Sequence, residues 1–131
     1  MSLLTLLQWQ HKIIAMKDMS TGMMFLASER SAWETGDFKH LVDQLQPHIN
    51  NLSPGSFCNP VENANVKMFK GREEVDFCLR KKGAFTYVIR GAFEVQHRLI
   101  ETGDGVALWN TSNIEIEALS DNAVIFVIEL E

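Results

Sequence analysis

Apolar and polar residues alternate with a period of two through most of the second half of the chain. Phe85, Tyr87 and Ile89 fall on one side of a predicted strand, and Thr86, Val88 and Arg90 on the other. After Gly91, Phe93, Val95 and Leu99 are expected on a common face, with Gln96-His97 as a two-residue corner before Arg98. Ile114, Ile116 and Ala118 alternate with Glu115 and Glu117, which predicts an apolar-in, acid-out edge strand guarded by its charges. Residues 123–130 are apolar on both sides, so that strand is expected between layers. Two earlier strands, 66–69 and 74–79, are separated at Lys70-Gly71. Short strands punctuated by Gly and Asn predict an all-β sandwich or barrel.

The first fifty residues carry a different signal. Residues 12–16 and 23–27 are apolar and flank Asp18-Met-Ser-Thr-Gly22, which has turn chemistry, so a β-hairpin is expected. Phe38, Leu41, Val42 and Leu45 recur at helical spacing behind an Asp37 cap, and Pro47 is expected to end this one short helix. His48 would then lie in the following loop, which continues through Asn50-Asn-Leu-Ser-Pro-Gly55. The expected organisation is a hairpin and helix (1–50) packed on a β-barrel (51–131).

A chain of 131 residues suits one domain with a real core. Twelve basic residues against seventeen acidic ones leave a net charge of −5, and no basic run exceeds Arg80-Lys81-Lys82. Nucleic acid is therefore not an expected partner, because phosphate neutralisation needs a basic stripe. The longest apolar run, residues 123–128, is far short of a membrane span, and the N-terminus has no cationic flank or cleavage site of a secretion signal. Cys58 and Cys78 lack metal-site or redox spacing and read as reduced thiols. A cytoplasmic protein is the expectation.

The stretch from Gly83 to Leu99, followed by Glu101-Thr-Gly103-Asp104-Gly105, contains two alternating strands, a tight turn, a third strand and a glycine–aspartate corner. This order resembles a small cupin, an RmlC-like jelly-roll β-barrel. The resemblance implies metal-binding His and Glu side chains at fixed offsets from the glycines. Anchored on Gly91, the Glu position holds Ala84, and the paired histidine positions hold Cys78 and Arg80, or Phe77 and Leu79. Anchored on Gly103, the second motif's Pro and His positions hold Trp109 and Ile114. No metal ligand falls at any of these positions, so neither metal nor other cofactor is expected by this route.

Other chemistry is sparse. His11, His40, His48 and His97 are scattered without ligand spacing. His97 reads as an exposed turn residue and is also a candidate binding residue. Glu73, Glu74 and Asp76 beside Arg72 either form a solvated strand entry or supply a general base. Trp109 either plugs one end of the barrel or lines a pocket mouth. There is no nucleophile elbow, phosphate loop or dinucleotide fingerprint.

Gly71-Arg-Glu-Glu-Val75, the run from Tyr87 through Gly91-Ala-Phe-Glu-Val-Gln-His-Arg-Leu-Ile-Glu101, Gly103-Asp-Gly-Val-Ala-Leu-Trp-Asn110 and Glu117-Ala-Leu-Ser-Asp121 resemble the C-terminal cupin domain of pirin-like proteins. It is also called the quercetinase C-terminal cupin domain. The resemblance covers residues 66–130. It implies a relative of bicupins whose metal, usually iron, sits in the N-terminal domain on three His and a Glu, the C-terminal domain having lost its ligands. Some bacterial members oxidise quercetin with dioxygen, and the animal namesake is a nuclear transcriptional cofactor. Phe25-Leu-Ala-Ser-Glu-Arg30 and Thr35-Gly-Asp-Phe-Lys39 resemble the opening strand of the family's N-terminal domain. A shortened relative without the metal-bearing cupin is thus expected, and no catalytic residue carries over.

Three functions remain open on the sequence. The favoured one is a non-catalytic interaction module that forms a homodimer or binds an unknown protein partner. The second is a quercetin 2,3-dioxygenase-type oxygenase, on family resemblance. The third is a binder of small aromatic ligands, with Phe85, Tyr87, Phe93, His97 and Trp109 as candidate contacts, although Phe85, Tyr87, Phe93 and Trp109 read first as plain core.

Overall fold

The computed structural model describes residues 23–27, 35–60 and 62–130. In chain order the elements are β1 (Met23–Ala27), α1 (Thr35–Ile49), β2 (Phe57–Cys58), β3 (Ala64–Met68), β4 (Glu74–Cys78), β5 (Gly83–Arg90), β6 (Ala92–Val95), β7 (Arg98–Glu101), β8 (Asp104–Trp109), β9 (Asn113–Ala118) and β10 (Val124–Leu130). They build two antiparallel sheets, ordered β1-β8-β5-β10-β3-β2 and β4-β9-β6-β7. The predicted strand at residues 23–27 lies along β8 (Met23 opposite Leu108). The rest of the expected N-terminal hairpin falls outside the described residues.

Two apolar clusters lie on opposite faces of the six-stranded sheet. One fills the space between the sheets with Phe69, Ala84, Val88, Phe93, Val95, Ile100, Val106, Ile114, Ile116, Ile125 and Val127. The other joins Val66, Phe85, Tyr87, Trp109, Val124 and Phe126 to Leu45 and Ile49 of α1. This is why β10 is apolar from Val124 to Ile128: its alternate side chains serve two cores. At about 25 cal/mol per Å² of apolar surface removed from water, each large buried side chain contributes roughly 1.5–3 kcal/mol, so both clusters are needed to hold the layers.

The chain passes between the sheets at two glycine corners. Gly91 (φ +96°) joins β5 to β6, and a Cβ there would meet Ser120 Oγ at 2.6 Å and the Ala123 Cβ at 2.8 Å. The return lies at Gly103, between β7 and β8, whose N–H donates to the Val88 carbonyl (2.9 Å). Thr102 ties the two corners together: its Oγ1 accepts from Gly91 N–H (3.0 Å) and its hydroxyl donates to the Gly91 carbonyl (3.3 Å).

Four expectations change. Pro47 lies inside α1, not at its end, and His48 belongs to the helix. The missing N–H would have served the carbonyl of Asp43, on the exposed side, while Ile49 continues the apolar stripe of Val42 and Leu45 into the core. Leu99 does not share a face with Phe93 and Val95. It stands opposite Glu94, 59% exposed, while Ile100 pairs with Phe93 and enters the core. The two-residue turn fixes this register: Gln96 and His97 both take positive φ (49° and 65°), setting Val95 opposite Arg98. Finally, β9 is not an edge strand, since β4 and β6 flank it on both sides. Alternation reports one solvated face, and a central strand of a two-layer sandwich has such a face as surely as an edge does. Trp109, in turn, packs with Phe85 on the α1 side of its sheet and does not plug the space between the sheets.

Candidate functional site

The space between the sheets is apolar. Thr86 is the one buried polar side chain among the described residues, and its hydroxyl donates to the Val106 carbonyl (3.2 Å). Ala84, at the expected Glu position, and Ile114, at a histidine position, are both fully buried in this core. Phe77 and Leu79 pack half-buried against it, and Cys78 is exposed. These residues do not fit a metal ion: an unpaired cation among alkyl and aryl groups has no ligand to replace its hydration. Among the described residues, no three His, Cys, Asp or Glu side chains are grouped so as to hold one.

The five candidate contact residues do not converge. Phe85, Tyr87 and Trp109 belong to the cluster under α1, with the Phe85 and Tyr87 rings stacked at 6.4 Å. Burial, with a smaller contribution from the Asp104 charge, pushes the Tyr87 phenol above its ordinary pKa. Phe93 lies across the sheet in the other cluster, edge-on to Phe69 at 5.0 Å. His97 lies apart from the other four, at the β6–β7 turn, 82% exposed.

The titratable groups gather instead on the outer face of the four-stranded sheet. The register sets Glu74 opposite Glu117, Asp76 opposite Glu115, and Glu94 opposite Glu117. Like charges directly opposite destabilise a sheet, and each is partly offset here. Arg72 Nη2 lies 3.4 Å from Glu117 Oε2, and Asn113 Nδ2 donates to Asp76 Oδ1 (2.7 Å). His97 Nε2 lies 3.3 Å from Glu115 Oε2 and its Nδ1 3.7 Å from Glu94 Oε1. Gln96 anchors that turn on β9, its Oε1 accepting from Glu115 N–H (2.8 Å). The result is a shallow acidic concavity of about 450 Å³, floored by Val75 and Ile116. Glu73 takes no part in it. The Lys70 N–H donates to its Oε1 (2.9 Å) and Lys67 Nζ lies 3.3 Å from Oε2; chiefly the first bond holds its carboxyl below the ordinary range.

A second hollow, of about 500 Å³, runs between the open margins of the two sheets, with Phe57 on one side and Phe77, Cys78 and Arg80 on the other. The Phe57 ring is 59% exposed. Glu129 closes one end, its Oε1 accepting from the N–H groups of Arg80 (2.5 Å) and Lys81 (3.3 Å). Burial raises the Cys58 thiol pKa nearby, the opposite of what a reactive thiolate needs. Sequence reading missed both surfaces, because the alternation is visible in 74–78 and in 113–118 but not their pairing.

Two facing antiparallel sheets around an apolar interior, with paired glycine corners, define a small cupin. Residues 63–130 match the quercetinase C-terminal cupin domain family, and the chain belongs to that family. Among solved structures, it is similar to bacterial pirin YhhW from Escherichia coli in complex with nickel(II), at 20% identity over 51% of this chain and 30% of that one (TM-score 0.46). YhaK from Escherichia coli is also similar, at 20% identity over 52% of this chain and 32% of that one (TM-score 0.46). A third is the Drosophila melanogaster CENP-C cupin domain, at 12% identity over 70% of this chain and 96% of that one (TM-score 0.49). The match thus spans under a third of each Escherichia coli protein. None of the curated proteins matches the chain.

Proposed function

We propose that this chain is a non-catalytic cupin module that acts by association, forming a homodimer and offering its outer surface to other protein. The observation that carries this reading is the interior: fully buried Ala84 and Ile114 stand where the Glu and the last His of a cupin's metal site would project. Among the described residues the space between the sheets holds no polar side chain beyond the satisfied Thr86 hydroxyl, so the inside supplies packing energy and recognition is left to the surface. The acidic face and the open sheet margin are the two surfaces available among the described residues. A place in the cytoplasm is part of the same proposal, supported by the two free cysteines. No helix among the described residues is long and apolar enough to cross a membrane. Light scattering at micromolar concentration tests the reading. A mass of two chains supports it, and a single-chain mass overturns self-association.

A further inference from the structure

The margin of the four-stranded sheet carries a specific pairing code. Among the described residues β4 has a strand on one side only, β9. The ladder there is bounded by Ala118 N–H to the Glu73 carbonyl (3.0 Å) and Leu79 N–H to the Ser112 carbonyl (2.9 Å). Residues 73, 75, 77 and 79 therefore bond to β9. The N–H and C=O groups of Glu74, Asp76 and Cys78 point the other way, along the open margin. Such an edge is a template for another strand.

We infer that this edge joins two copies of the chain, their β4 strands running antiparallel about a twofold axis at Phe77. The inference rests on the proposal above that the chain self-associates, and names the surface that does it. Charge selects this arrangement. The segment runs from acid to base: Glu74, Asp76, then Arg80. Antiparallel pairing about Phe77 overlaps residues 76–78 of the two strands and sets each Asp76 opposite the other copy's Cys78. It also brings each Glu74 side chain beside that of Arg80, which follows the other copy's strand and whose own N–H is held by Glu129. Both Glu74 and Arg80 are exposed. Moving the axis to Val75 would set Glu74 against Asp76, moving it to Asp76 would set two aspartates face to face, and moving it to Cys78 would overlap the strands at one residue only. A parallel pairing in register would set like against like throughout.

The apolar side of the same pairing is also self-complementary. Val75, Phe77 and Leu79 are half-buried at the margin of the core. About this axis Phe77 meets its own copy and Val75 meets Leu79. The hollow beside β4, with the exposed Phe57 on its far wall, adds apolar surface for a second chain to cover.

Sedimentation of the full chain tests this with Glu74→Arg, Arg80→Glu and the double exchange. The unsubstituted chain is expected to be a dimer, each single change to weaken dimerisation about tenfold or more, and the double exchange to restore it. Restoration also shows that the changes do not act by unfolding. In a Cys58→Ser background, Asp76→Cys is expected to form a disulfide with the other copy's Cys78 on mild oxidation, since the two lie directly opposite. If all variants remain dimeric and no crosslink forms, this edge is not the interface, although self-association stands. A monomeric unsubstituted chain overturns both.

Discussion

Strands β6 and β9 build both faces of the four-stranded sheet. Inward they present Phe93, Val95, Ile114, Ile116 and Ala118, none more than 2% exposed. Outward they present Glu94, Glu115 and Glu117, opposed by Glu74 and Asp76 on β4. The inner face is determined by volume: every group is apolar and the interior is closed against ions. The outer face is determined by charge, with five carboxylates set strand against strand and partly offset by Arg72, Asn113 and His97. Repulsion of that kind costs stability, and the inner face more than offsets it. On the function proposed here, it is the outer surface that acts.

Changes on the inner side should break the molecule, and those on the outer side should barely register in stability. The largest effect is expected for Phe93→Ala, at about 3–5 kcal/mol, from lost transfer energy and the cavity left against Phe69. Denaturant titration checks it. Gly91→Ala follows, at about 3 kcal/mol, because a Cβ at φ +96° is strained and collides with Ser120 and Ala123. A melt that stays within a degree of the parent would show that the corner is not fixed.

Glu73 sharpens the comparison through pH. Its folded pKa lies below the ordinary 4.5, chiefly through the Lys70 N–H and then through Lys67. A lowered carboxyl pKa gives stability that is fully present above the unfolded value and is lost as pH falls through the folded one. The stability difference between parent and Glu73→Gln should therefore be constant above about pH 5 and shrink progressively in more acid solution. A difference independent of pH would remove the carboxylate from the account. The smallest effect is expected for Glu115→Gln, within about 0.5 kcal/mol either way. The loss of one repulsion against Asp76 and of the exposed His97 contact nearly cancel.

Much of the strand pattern could be read from the chain, and the reasons are local. The alternation in Phe85-Thr-Tyr-Val-Ile and the doubly apolar β10 are consequences of pleat geometry, which a single segment displays. Both glycine corners stand out because glycine takes their positive φ (96° and 89°) without strain. Leu99 was misplaced because the face of β7 depends on the turn's register and not on hydrophobicity. Trp109 on β8 and Phe93 on β6 share a candidate site in the sequence yet belong to different sheets and different clusters, since a strand pattern does not say which of two cores a face serves. The acidic surface was invisible for a different reason. It exists only because β4 pairs with β9, a contact between residues 37 apart in the Asp76–Asn113 bond, and no local signal encodes it.

The claim that the interior cannot hold a metal ion is tested most directly by native mass spectrometry after incubation with iron(II), nickel(II) and manganese(II). The account predicts a two-chain ion with less than about a tenth of an equivalent of any metal, as expected where no ligand set exists. A stoichiometric metal adduct that survives desalting would contradict it, and would direct attention to an oxygenase.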